Sequence, residues 1–293
     1  MLEFSRTVVS MSTAGLLVLV AGVIAQRTGL KSGPLTARAI ALGRVFVAAP
    51  LATFGALHLA AAKGLMNMVP DYMPWPLFWV YLVGFGLIAT ALSLIFDRLV
   101  FWSSLLAGGM FLAFVAMMDL PGVITAQHDR FAFALLARET TFGCALLALA
   151  GSVASRSSRW AKLVTPCRIV FAVVAIFYGV EHFLHPEFLP GVPLEKLTPS
   201  WVPLPRLWGY LVGAVLLESG AMLLLNRRAS DAAARLGIVL AATVAIIYVP
   251  MLWPAHGTDQ IVEAIDYIGD TLLYAGTALI VGEALERQVK WKI

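Results

Sequence analysis

Pro76-Leu-Phe-Trp-Val-Tyr-Leu-Val-Gly-Phe-Gly-Leu-Ile-Ala-Thr-Ala-Leu-Ser-Leu-Ile-Phe96 runs for 21 residues without a charged side chain. A helix needs roughly 20 apolar residues to cross about 30 Å of hydrocarbon. This stretch alone is long enough. Working outward from it, eight more segments read the same way. Leu99–Met118 follows at once. Val8–Ala25 and Val45–Ala62 precede it, and neither carries Asp, Glu, Lys or Arg. Phe131–Val153 is interrupted only by Arg138 and Glu139. Ile169–Leu184 is short, Leu207–Asn226 holds one acid, Glu218, and Leu236–Trp253 is uncharged. Ile261–Leu285 is polar in its first half. Unpaired backbone in lipid costs several kcal/mol per group, so all nine read as helices. The period-2 alternation of a membrane barrel is absent. The expected fold is an all-α polytopic transmembrane helical bundle.

Composition agrees. Of 293 residues, 60% are hydrophobic and 13% charged, against about 25% charged in an ordinary soluble domain. A solvated globule and a disordered chain are both excluded. The net charge of +4 raises the question of nucleic acid. The basic residues, however, sit in short connections: Arg27, Lys31, Arg38 and Arg44; Arg98; Arg156, Arg159 and Lys162; Arg227, Arg228 and Arg235; Arg287, Lys290 and Lys292. They fall on every second connection, the pattern of the positive-inside rule. No nucleic-acid partner is therefore expected. The rule predicts the amino terminus outside and the carboxyl terminus in the cytoplasm; the expected location is a bacterial plasma (inner) membrane. The first span, with Arg6 before it and Val23-Ile24-Ala25 at its end, also suits a signal peptide. Its run of about 18 apolar residues is longer than the usual 7–15, which favours a retained helix.

The chain repeats itself. Arg44-Val-Phe-Val…Phe54-Gly55-Ala-Leu-His58 aligns with Arg168-Ile-Val-Phe…Tyr178-Gly179-Val-Glu-His182. Pro74-Trp75-Pro76-Leu-Phe-Trp79-Val-Tyr81-Leu-Val-Gly84 aligns with Pro203-Leu-Pro205-Arg-Leu-Trp208-Gly-Tyr210-Leu-Val-Gly213, and Pro121 with Pro250. The extra residues of the second copy fall around Gly191–Lys196. The expected organisation is an N-terminal helix with a basic inner loop over 1–39, a four-helix unit over 40–153, a basic cytoplasmic linker over 154–163, and a second unit with a basic tail over 164–293. Four helices per unit give both units the same polarity, a parallel repeat about an axis near the membrane normal. The connections over 63–76 and 185–206 share Pro and Trp residues and read as two related caps on the outer face.

The arrangement of Arg168, Gly179, Gly213, Glu218 and Gly220, with Arg44, Gly55 and Gly84 in the first unit, resembles the DoxX-like integral membrane proteins. Two positions depart from that pattern. His58 and His182 stand where the family usually has lysine, and Ala89 stands opposite Glu218. The resemblance implies two fused four-helix units and association with membrane-bound redox complexes; the family includes the small subunit of a thiosulfate:quinone oxidoreductase. It assigns this chain no catalysis of its own.

Charged groups inside a bilayer cost a few kcal/mol each and ask for a partner or a purpose. His58 and Lys63 close the second helix; Glu181, His182 and His185 close the sixth. Arg138 and Glu139 lie two turns into the fifth. Glu263, Asp266 and Asp270 share one face of the ninth. Two readings stand. In one, these groups reach the interface from helix ends. In the other, His58, His182, Glu139, Asp266 and Asp270 line a cavity between the units that binds a cofactor, with quinone the fitting headgroup because histidine passes protons near neutrality. Haem held by His58 and His182 is disfavoured, since a histidine at a helix end more often has a structural partner. Glu181, His182 and His185 form no distinctive zinc motif. Glu218, Arg168 and Arg44 are candidates for structural pairing or proton relay, with a Glu218–Arg168 pair the simplest expectation. Cys144 and Cys167 form no redox or metal motif, and no catalytic constellation is present. The function so indicated is an accessory or anchor subunit of a membrane redox system. Its partners would be the bilayer and a periplasmic or membrane oxidoreductase subunit. A transporter or lipid-binding protein with a cleft between the units is the alternative, and a scaffold without a small-molecule site is a third.

Overall fold

A computed structural model describes residues 5–31, 33–192 and 195–290. Lys292 and part of the extra second-copy loop, residues 193–194, lie outside them. Among the described residues the protein is 81% helical and contains no strand. Among the described residues, nine helices are long and apolar enough to cross a membrane: α1 (Arg6–Ala25), α2 (Leu35–Ala60), α3 (Pro76–Phe96), α4 (Val100–Thr125), α5 (Arg130–Val153), α6 (Arg159–Leu184), α7 (Pro205–Leu224), α8 (Ala229–Leu252) and α9 (Gly257–Lys290). The protein is an integral membrane protein. One end of the bundle carries the 154–158 linker. The other carries the 61–75 and 185–204 connections. They are called here the linker end and the cap end.

Helix packing interlocks the halves of the chain. Helix α2 packs on α1 and α3, but also along α9; α5 packs on α4, α6 and α9; α8 bridges α7 and α9. Helix α9 is therefore the axis of the molecule, 78% buried over its most apolar window, while α1 is 17% buried and lies at the rim. One continuous apolar core runs through both halves, with Leu51, Leu94, Phe142, Leu146, Phe171, Leu216 and Leu240 fully buried. Small residues let the backbones approach, as membrane packing requires. A Cβ on Gly55 would stand 2.9 Å from the Gly84 carbonyl oxygen, and one on Gly179 would stand 3.0 Å from that of Gly213. Thus α2 meets α3, and α6 meets α7, through glycine pairs.

Several local geometries occur in pairs separated by 129 residues. The residues preceding α3 and α7, Trp75 and Leu204, are left-handed (φ 56° and 51°). So are Asp97 and Asn226, and Leu99 and Arg228. Helices α4 and α8 both widen into π-helical turns, Val115–Asp119 and Val244–Tyr248. The cause is written in the chain. Pro121 and Pro250 lack an N–H and would clash with the carbonyls of Met117 and Ile246 four residues earlier, and a π turn relieves that conflict.

The two cap-end connections differ. The described residues of the 185–204 connection fold down onto α8, burying Leu189 and Val202 against Ile247, Tyr248 and Met251, and the Tyr248 hydroxyl donates to the Pro190 carbonyl at 3.1 Å. The 61–75 segment makes two short helical turns and leaves Tyr72 and Trp75 exposed.

Candidate functional site

The densest group of buried polar side chains lies where α5 crosses α9. Arg138 sits eight residues into α5, roughly 12 Å below its cap end. Its guanidinium donates through Nη1 to Asp270 Oδ2 on α9 and through Nη2 to Glu139 Oε1 at 3.0 Å. All three side chains are largely buried, at 14–16% exposure. Two further carboxylates lie within electrostatic reach of Arg138: Asp266, one turn before Asp270, and Asp119, the last residue of the first π turn. Four carboxylates thus surround one cation. Such a ratio in a low-dielectric interior leaves excess negative charge for a proton or a hydrogen-bond donor to neutralise.

Aromatic rings floor the cluster. Tyr274, one turn beyond Asp270, stacks on Phe171 at 5.6 Å and meets Tyr178 edge to face at 5.5 Å. The Tyr178 hydroxyl donates to the Ala134 carbonyl at 2.7 Å. Four buried polar atoms here have no hydrogen-bond partner: Asp119 Oδ2, Arg138 Nε, Asp266 Oδ1 and the Tyr274 hydroxyl. Buried polar groups are nearly always satisfied, so these four atoms mark where water or the polar groups of a ligand would be held. The site contains two donors and two acceptors.

Of the residues expected at a cofactor site, the structure brings together Glu139, Asp266 and Asp270. Among the described residues, no hydrogen bond or ion pair joins His58 or His182 to them or to each other. Helices α2 and α6 pack on α9 and not on one another. His58 donates from Nδ1 to the Phe54 carbonyl at 2.8 Å. His182 is fully engaged. Its Nε2 accepts from the Gly191 N–H at 2.8 Å, so Nδ1 carries the proton and donates to the Tyr178 carbonyl. His182 is therefore corrected from a ligand-binding residue to a strut that pins the 185–204 segment. Haem shared by the two histidines has no geometric basis. Glu181 is likewise committed, paired with Arg130 at 2.5 Å. Among the described residues no three His, Cys, Asp or Glu are placed to hold a metal ion.

The expected Glu218–Arg168 pair is also corrected. Glu218 faces α8 and pairs with Arg235 at 2.7 Å, both half-exposed. Arg168 lies at the linker end of α6 and donates to the Leu223 carbonyl in the last turn of α7, which also accepts from the Asn226 N–H at 3.2 Å. Arg44 makes the stronger linkage, to Asp97 at 2.5 Å and by both nitrogens of a fork to Glu283 at 2.7 and 3.1 Å. It ties α2 to α3 and α9. Cys144 and Cys167 are buried, form no disulfide, and share a thiol–thiol hydrogen bond.

In sequence Arg138 stands beside Glu139 with nothing to mark it as the hub. An arginine inside an apolar span, with three acids on one face of another, was the available signal. Asp119 and Tyr178 gave none. No protein-family model, no curated protein and no solved structure matches this chain.

Proposed function

We propose that this chain is a membrane-embedded accessory subunit of a redox system, and that the Arg138 cluster binds a quinone headgroup. The observation that carries the reading is the set of unpartnered polar atoms at the α5–α9 crossing. A quinone presents two carbonyl oxygens and a flat ring. The Tyr274 hydroxyl and the Arg138 Nε–H are buried donors that suit those oxygens, and the Tyr274, Phe171 and Tyr178 rings suit the ring face. When bound, the quinone would carry two electrons and two protons per turnover. The residues of the chain supply the proton side. Asp266 and Asp119 hold or release protons next to Arg138, whose charge keeps Asp270 and Glu139 in place. Electrons come from a periplasmic or membrane oxidoreductase partner.

Two DoxX-like four-helix units side by side remain the reading of the architecture. The paired left-handed residues, the paired π turns and the two glycine contacts support it. The clustering of basic residues at the linker end supports an orientation with that end in the cytoplasm of a bacterial plasma membrane. The cluster then lies at the depth of the outer leaflet.

The test is extraction of detergent-purified protein, with quinone identified by mass spectrometry. Titration with a short-chain ubiquinone analogue accompanies it. Wild type should retain quinone; Tyr274→Phe and Arg138→Gln should weaken analogue binding by about tenfold each, the loss of one good hydrogen bond. Absence of quinone together with no saturable analogue binding would refute the proposal.

A further inference from the structure

A second site lies at the opposite end of the bundle. Leu35, Ala39, Leu42 and Phe46 of α2 form one wall of a cleft of about 320 Å³; Ile238 and Ala241 of α8 and Leu279 of α9 form the other. The α2 wall spans twelve residues, or roughly 16 Å, from the linker end inward. That is about half of a 30 Å hydrocarbon core, the depth of one leaflet. The cleft lies between helices from the two halves of the chain, and Gly237 at its base permits α8 to come close to Leu279.

The mouth is basic. Arg38 lines it, is exposed, and uses Nε on the Gly33 carbonyl at 3.0 Å; no ion pair of Arg38 is seen among the described residues. Arg27 and Lys31 are exposed in the preceding turn. The acids of α9 near this end are committed: Glu283 to Arg44 and Arg287, Glu286 to the Ser230 hydroxyl. An apolar slot of leaflet depth beneath an unneutralised arginine has the chemistry of one ligand class.

The geometry points to a bound anionic phospholipid, with one acyl chain in the Leu35–Phe46 cleft and its phosphate at Arg38. Such a lipid would brace α2 against α8 and α9 at the linker end. The site is separate from the Arg138 cluster and does not depend on the quinone reading.

The test is native mass spectrometry of the full chain in detergent, titrated with phosphatidylglycerol or with phosphatidylcholine of the same acyl chains. Each basic side chain near an anionic headgroup favours it about fivefold. Wild type should therefore prefer phosphatidylglycerol by about fivefold. Arg38→Gln should bring the two lipids within about twofold of each other, chiefly by weakening phosphatidylglycerol. Leu42→Trp, which fills the slot, should abolish binding of both. Equal affinities in wild type, an undiminished preference in Arg38→Gln, or undiminished binding in Leu42→Trp would each overturn the assignment. Circular dichroism of each variant verifies that the helices are retained.

Discussion

Replacing Arg138 by glutamine removes the only cation from a group of four carboxylates. Breaking a buried ion pair from one side costs about 3–5 kcal/mol in soluble proteins. Interhelical polar contacts inside membrane proteins average nearer 0.6 kcal/mol and reach about 1.7, because separated helices find other partners in the lipid. Arg138 sits between these limits. Its side chain is only 14% exposed and it holds two carboxylates, one of them on another helix. Arg138→Gln should therefore cost about 3 kcal/mol. Asp270→Asn leaves the Glu139 contact in place and should cost about 1.5 kcal/mol. The double variant should cost about 3 kcal/mol, not the sum, because Asp270 has nothing left to hold it once the guanidinium is gone. Reversible unfolding in mixed micelles, followed by far-ultraviolet circular dichroism, gives all three values. Additivity within about 0.5 kcal/mol would mean the two side chains do not act together, and the crossing would need another explanation.

Other outcomes follow from the same contacts. Gly213→Ala places a Cβ 2.7 Å from the His182 Cβ and should cost about 1–3 kcal/mol in the same unfolding assay, whereas Gly109→Ala meets nothing within 4 Å and should be neutral or slightly stabilising. Gly191→Ala must hold φ at +133° with its Cβ 2.9 Å from Thr271 Cγ2. It should free the 185–204 segment, seen as faster proteolytic cleavage there with the helical core intact. Glu218 and Arg235 correspond to Ala89 and Leu106 at the 129-residue offset. Changing both to Ala and Leu should leave stability closer to wild type than Glu218→Ala alone, which strands Arg235 on a half-exposed face.

How far the sequence reaches is clearest at particular residues. The nine spans are legible because runs of about 20 apolar residues have no other stable fate in this composition. Their ends are less so. Hydropathy starts the second helix at Val45, but it begins at Leu35, because Arg38 and Arg44 lower the local average without breaking the helix. Arg44 is tolerated there because Asp97 and Glu283 neutralise it. At the site, Asp266 and Asp270 share a helix face by spacing alone, and Glu139 adjoins an arginine, so three of five expected ligand residues meet. Asp119 was hidden because a π turn rotates it away from the face that regular helical spacing assigns. His182 was misread because its partner, the Gly191 N–H, arrives from a loop whose return over the core no local pattern encodes. Glu218 was misassigned because depth along a helix is legible in sequence, but the identity of the facing helix is not.

The central claim is that a quinone headgroup sits where α5 crosses α9. Photolabelling the purified protein with an azido-ubiquinone analogue, followed by peptide mapping, tests it most directly. The account predicts adducts within residues 130–143 and 263–277, displaced by unlabelled quinone and reduced in Tyr274→Phe. Adducts confined to other helices, or labelling that unlabelled quinone fails to displace, would contradict it.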